Sequence, residues 1–371
     1  MPRSRGRCCQ MSRNRTMGNL ALSNFEDIFS VSTERIDGEH IVQIPLSDLY
    51  PPDFHPFQVN DDEAMNRFGS DKPDLRFGYE LCDLSDILAA SEFKVFADAV
   101  ANGGSVRGIN ITGGADKFSR KEITTLTDWV KTYKAKGLAW YKISGGEVSS
   151  SYAKFLTDGE NADICEKLNA KDGDIIFIVA DASNEVVFNS LGALRCETAK
   201  RIGAVTPGEY KILWVTDFPL FEYSEEEDRY VSKHHPFTMP CAEDLHYLDT
   251  DPGKVRSVAY DIVINGTEAG GGSVRIHTRE IQSKIFETLG LTKEEADEKF
   301  GFLLEAFRYG TPPHAGLAFG LDRLVTLLLG LGDIRDVIAF PKVQNASELM
   351  TKCPAPTDSA ALRELGIALL D

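Results

Sequence analysis

The sequence lacks the features that would mark several large protein classes. Its seven cysteines are scattered without a CxxC pair, so neither a disulfide framework nor a zinc ribbon is indicated, and a reducing cytoplasm fits best. No uninterrupted apolar stretch reaches the roughly 18 to 20 residues that span a bilayer. The longest, around Leu324 to Leu331, reads as a buried helix. Positive charge is also scarce: 40 Lys and Arg against 57 Asp and Glu leave a formal net charge of −17. That balance argues against a protein that coats nucleic acid by bulk electrostatics, while allowing a local basic patch. The phosphate motif GxxxxGK[ST] is absent, and no glycine cluster makes GxGxxG between a strand and a helix. P-loop kinases and Rossmann dehydrogenases are therefore disfavoured.

What is present suits a globular protein of two or three domains: 371 residues, 42% hydrophobic and 26% charged. The opening "MPRSRGRCCQMSRNRTMGNL" holds five arginines and no acid. It has neither the apolar core of a secretory signal nor an amphipathic period, and reads as a disordered tail in which Met17 is an alternative start. The proline-containing "IPLSDLYPPDFHPFQVN" reads as an extended connection.

From residue 61 the pattern becomes regular. "DDEAMNRFGSDKPDLRFG" predicts a short helix stopped at Gly69, and "LSDILAASEFKVFADAVANGG" a helical run capped by Ser85 and ended by Gly103 and Gly104. "SVRGINITGG" alternates as a strand. Ser119 with Glu122 three residues on makes a capping box for the helix that follows. "LAWYKIS" and "DIIFIVAD" are further strands, "ADICEKLNA" a short helix and "LGALRCETAKRIGA" another. Strands alternating with helices predict an α/β module with its helices on one face. After residue 206 the pattern changes to strands around a charged hairpin, two amphipathic helices and a strand running into a helix, which predicts a mainly antiparallel sheet.

Three places in this second half carry chemistry. In "YDIVINGTEAGGGSVRIH", Gly270, Gly271 and Gly272 let a flat ligand or another backbone approach the sheet closely. Glu268 and Arg275 flank them: a carboxylate there suits Mg²⁺ on a nucleotide, and a guanidinium fork matches a carboxylate. A surface hairpin with a charge pair is the bland alternative. In "KHHPFT" two adjacent histidines face opposite ways on a strand, so one can meet a substrate while the other packs. In "GLAFGLDRL", Asp322 and Arg323 are either a first-turn charge pair or a ligand-facing arginine with a structural partner. Gly316, Ala318 and Gly320, spaced by two, would keep one strand face bare beneath it.

Together "WVTDFPLFE", "HHPFTMP", "YDIVINGTEAGGGSVRIH", "FGFLLEAFRYGTPPHAGLAFGLDRL" and "IRDVIAFPK" resemble the bacterial-type aspartyl-tRNA synthetases, which are class II enzymes. "GSDKPDLRFG", "KTYKAKGLAW" and "LGALR" resemble that family's inserted GAD domain, and the resemblance covers roughly residues 61 to 355. It implies an α+β fold, a class II antiparallel sheet with helices plus an inserted α/β GAD domain. The substrates it implies are ATP and L-aspartate, with Mg²⁺ and tRNA(Asp) or also tRNA(Asn), in a cytoplasmic homodimer without a membrane segment. By the same resemblance Arg323 lies against adenine and reaches the γ-phosphate, with Gly320, Leu321 and Asp322 forming the junction that brings it there. Glu268 holds magnesium at the ATP site. Asp261 lies near the substrate ammonium, Arg275 pairs with the aspartate side chain, and His234 belongs to a loop closing over that substrate.

The resemblance is partial. The anticodon-reading OB-fold and the first two class II motifs, with the Arg-x-Glu element that clamps the α-phosphate, are not found. The expected organisation is an unmatched, poorly ordered segment 1–60, a GAD-like insertion 61–205, the C-terminal part of a class II catalytic domain 206–345 and an extension 346–371. The expected function is aspartate–tRNA ligation, in a truncated or partial chain. The alternative is a non-catalytic nucleotide- or amino-acid-binding paralogue.

Overall fold

The computed structural model describes residues 58–368. The basic tail, Met17 and most of the proline-containing connection lie outside the described residues. The described chain opens with strand β1 (Gln58–Asn60) and helix α1 (Asp61–Phe68). Asn60 caps the helix by accepting the Glu63 N–H at 2.7 Å, and three carboxylates occupy the first turn, where the helix dipole favours them. Gly69 ends it in the left-handed region at φ 67°.

The chain then builds a separate sheet. Its elements are β2 (Cys82–Asp83), α2 (Ser85–Leu88), α3 (Lys94–Ala101), β3 (Ser105–Ile111), α4 (Arg120–Val130), β4 (Ala139–Ser144), β5 (Glu147–Ser150), α5 (Asp158–Lys167), β6 (Ile175–Asp181) and α6 (Asn184–Ile202). The strand order is β2-β3-β6-β4-β5, with every pairing antiparallel. Two sequence expectations are corrected here. The run from Ser85 to Gly104 is two helices, because Ser91 Oγ accepts the Phe93 N–H and turns the chain between them. Helices also cover both faces of the sheet. Ile109, Phe177 and Val179 pack against Leu126 of α4 and Leu191 of α6, while Val106, Ile176 and Ile178 pack against Phe96 of α3 and Ile164 of α5. The continuous apolar run of β6 requires this, since successive side chains point to opposite faces and all need burial.

The second sheet comprises β1 together with β7 (Ile212–Thr216), β10 (Ala259–Ile264), β11 (Thr267–Val274) and β12 (Ala315–Phe319), in the order β1-β7-β10-β11-β12. The hairpin β8 (Phe221–Ser224) and β9 (Arg229–Ser232) stands apart from it. Helices α7 (Arg279–Thr288) and α8 (Lys293–Phe307) precede β12, α9 (Leu321–Leu329) follows it, and α10 (Ser359–Glu364) lies near the end. Among the described residues of this sheet only the β1–β7 pairing is parallel. Gln58–Asn60, expected in a poorly ordered segment, pair with Trp214–Thr216. The first sheet is therefore inserted in sequence between two neighbouring strands of the second. Ala64 of α1 joins Leu213, Val215, Phe218, Ala259 and Val263 in the core of the second sheet.

One arginine ties the insertion to this sheet. Arg195 of α6, only 1% exposed, donates to the backbone carbonyls of Asp74 (2.7 Å), Phe77 (3.1 Å) and Gly78 (3.1 Å). Its guanidinium lies over the rings of Phe68 and Phe77. The loop after α1 is thereby fixed from the insertion's side.

Helix α9 corrects another expectation. Its apolar run predicts a buried helix, yet none of its residues is buried, and Leu321, Leu328 and Leu329 are 70%, 72% and 63% exposed. Apolarity determines what can be buried. Here β12 is the last strand of its sheet among the described residues, and no described element lies over the outer face of α9.

Candidate functional site

The glycine-rich strand shapes the site. Across the ladder Asp261 pairs with Gly271 and Gly271 with Ala318. A Cβ on Gly271 would sit 2.2 Å from Asp261 Oδ1, and one on Gly272 would sit 1.9 Å from the Gly316 carbonyl oxygen. Bare backbone is what lets the Asp261 carboxyl lie over β11 while β12 approaches from the other side. The register shifts between Ile262 and Val263, which brings Glu268 opposite Val263, two residues from Asp261. Asn265, at φ 51°, turns away to bond Glu209 and Lys211.

A cavity of about 420 Å³ opens over this surface, bordered by His234, His235, Asp261, Glu268, Gly270 to Ser273, Arg275, Ala318 to Gly320 and Arg323. Arg323 projects from the first turn of α9. Its Nη1 donates to the Glu268 carbonyl at 2.9 Å and stands 3.4 Å from Glu268 Oε1. The Gly320 N–H donates to Ala269 O, locking the strand-to-helix junction to β11. Lys72 Nζ lies 3.3 Å from the other Glu268 oxygen, Oε2. Burial, reinforced by the charge of Glu268, pushes the Asp261 carboxyl up to about 6, against the opposing influence of Lys72 and Arg323.

Arg275 is held by a histidine. Its Nη1 contacts His235 Nδ1 at 3.1 Å, and the Phe237 N–H donates to the same nitrogen at 3.1 Å. Nδ1 therefore accepts, and the ring carries its proton on Nε2. Burial and then the Arg275 charge push His235 down to about 4, so it is neutral near pH 7. Among the described residues this is the only side-chain hydrogen bond of the Arg275 guanidinium, which leaves most of its fork for a carboxylate. His234 packs its ring edge-on against Phe218, and burial lowers its pKa.

Six of the residues singled out in the sequence, His234, Asp261, Glu268, Arg275, Gly320 and Arg323, thus border one cavity. Leu321 and Asp322 do not. Asp322 also fails as the partner of Arg323, which turns to Glu268 instead, because the first turn of α9 points that side chain back over β11. Two residues were missed. His235 was flagged only as half of a histidine pair, and Lys72 stood in a stretch read as part of the insertion.

Glu268 and Asp261 offer carboxylate oxygens at one end of the cavity, a donor set that fits Mg²⁺, which binds through one or two carboxylates plus substrate phosphates. No group of three or more His, Cys, Asp or Glu poised for a metal occurs among the described residues. Nor is any helix among them long and apolar enough to cross a membrane. A larger cavity of about 540 Å³ lies in the insertion between α3 and β6, lined mainly by apolar groups around the Lys136–Asp181 ion pair, without a comparable convergence of charge.

A mainly antiparallel sheet whose bare penultimate strand carries a carboxylate between two cations, with an arginine at a strand-to-helix junction, frames this cavity. Residues 17–344 match the family described as tRNA synthetases class II (D, K and N), and the chain belongs to that family. It is 60% identical over 308 residues to the aspartate–tRNA ligase of Ruminiclostridium cellulolyticum, covering 83% of this chain and 52% of that protein. It is 56% identical over 307 residues to the aspartate–tRNA(Asp/Asn) ligase of Caldanaerobacter subterraneus, with 83% and 52% covered. Against the aspartate–tRNA ligase of Clostridium perfringens it is 55% identical over 306 residues, with 82% and 51% covered. The chain spans about half the length of these curated relatives.

Proposed function

We propose that this chain carries part of the ATP and aspartate site of an aspartate–tRNA ligase. The observation that carries the reading is the meeting of Glu268, Arg323 and the His235-held Arg275 around one cavity over bare strands. In the reaction, a carboxylate oxygen of aspartate bonds to the α-phosphorus of ATP and pyrophosphate leaves. The terminal ribose hydroxyl of tRNA then takes the acyl group and AMP leaves. Such chemistry depends on positioning and charge stabilisation. Arg323 receives the γ-phosphate beside adenine, and the junction of Gly320, Leu321 and Asp322 sets its direction. Arg275 grips the substrate's side-chain carboxylate, steadied by neutral His235. Asp261 faces its ammonium, and His234 lies at the cavity's edge. Mg²⁺ bound through Glu268 supplies neutralisation of phosphate charge.

The tRNA is tRNA(Asp), with tRNA(Asn) as the second candidate, and the longer protein is a cytoplasmic homodimer in this reading. In this reading residues 61–205 carry its GAD-like insertion together with the flanking connections. The test is L-aspartate-dependent exchange of labelled pyrophosphate into ATP, by this chain and by one extended to the length of its relatives. The extended chain exchanges, and Arg275→Met abolishes the exchange; exchange by neither chain overturns the proposal. One observation favours a second reading for the isolated chain. Among the described residues the arginines bordering the cavity are Arg275 and Arg323, and in the reading above neither is left for the α-phosphate. ATP binding without exchange by this chain would mark it as a binding paralogue.

A further inference from the structure

Glu268 is compensated on both sides: Arg323 faces its Oε1 at 3.4 Å and Lys72 faces its Oε2 at 3.3 Å. Lys72 arrives on a loop whose backbone is fixed. Its own N–H donates to Ser70 Oγ at 3.0 Å, Pro73 beside it is buried, and Arg195 holds the carbonyls of Asp74, Phe77 and Gly78. The lysine side chain is the mobile part, with a flexible four-carbon stem ending in a compact charge. With side-chain exposures of 39% for Lys72 and 28% for Glu268, the ion pair is partly solvated and of the weak kind that another cation can displace. Asp71, 3.8 Å from the Lys72 ammonium, offers it a second carboxylate.

We propose that Lys72 is the resident counter-ion of Glu268: a positioning residue that keeps this carboxylate paired and aimed at the cavity until a divalent cation displaces it toward Asp71. This rests on the reading of Glu268 as the metal-holding carboxylate. The insertion has a part in the site, because Arg195 anchors the loop that delivers the ammonium.

The consequence is counter-intuitive. Deleting a residue of the site tightens divalent-cation binding, because the competitor is gone. The probe is Mn²⁺ alone, titrated into the nucleotide-free chain and followed by water-proton relaxation. Lys72→Met binds Mn²⁺ about two- to fivefold more tightly than wild type, the range expected when a partly exposed ion pair no longer competes. Lys72→Arg behaves like wild type, and adding Glu268→Gln to Lys72→Met removes the gain. If Lys72→Met binds equally or more weakly while Glu268→Gln still abolishes binding, the counter-ion role is overturned and the metal reading stands. If no Glu268-dependent binding is seen in either background, both fall.

Discussion

The two sheets of this molecule are built to different standards. In the insertion, Phe177 and Val179 on one face of β6 and Ile176 and Ile178 on the other are at most 1% exposed, with helices over both. In the second sheet, β1, β7 and β10 share a core with α1, but β12 and α9 leave Leu317, Phe319, Leu321 and Leu328 in solvent. The insertion thus buries both faces of its central strand, whereas the sheet carrying the site is, among the described residues, well packed on one side and exposed on the other. The site lies at that border: Asp261 belongs to the packed side, Arg323 to the bare one.

This contrast can be broken most severely in the insertion. Phe177→Ala, which removes a ring packed edge-on against Phe118 at 5.7 Å, should cost about 3–5 kcal/mol in denaturant unfolding. Phe319→Ala, at a half-exposed position on β12, should cost under about 1 kcal/mol. Equal losses would contradict the division. Next in size is Arg195→Met, which leaves three carbonyls without their donor. A loss of roughly 3 kcal/mol is expected, with new proteolytic cleavage between residues 70 and 78, while unaltered cleavage would show that the loop is held by something else.

The smallest effect concerns pH. The Asp261 carboxyl, raised from an ordinary 3.8 to about 6, binds its proton more tightly in the folded than in the unfolded chain. Its ionisation therefore costs stability progressively as pH rises from about 4 to about 6, and the cost is constant above that. Asp261→Asn should match wild type near pH 4 and exceed it by about 1–3 kcal/mol at pH 7, up to the full value of that rise at this buried group. A gain already present at pH 4 would assign the effect to packing instead.

What the sequence disclosed follows the same division between local and distant. The Ser119–Glu122 capping box is present, with the Ser119 N–H donating to Glu122 at 2.7 Å, because it closes over three residues. The Gly69 stop and the glycine-dense site strand were readable for the same reason. The Lys72–Glu268 pair was not, since the entire insertion separates its partners and nothing in either segment names the other. The choice of His235 as the support for Arg275 depends on which histidine the loop after β9 turns inward, and period-two alternation leaves that open. The exposure of α9 was hidden because its composition matches that of a core helix.

The claim that Arg323 and Glu268 form one end of an ATP site is tested most directly by calorimetric titration of Mg²⁺ and ATP into wild type and Arg323→Ala. The arrangement predicts measurable binding to wild type and a loss of about tenfold or more in the variant, as expected for removing a charge-assisted contact. Wild-type affinity in Arg323→Ala, with the fold intact by circular dichroism, would contradict it.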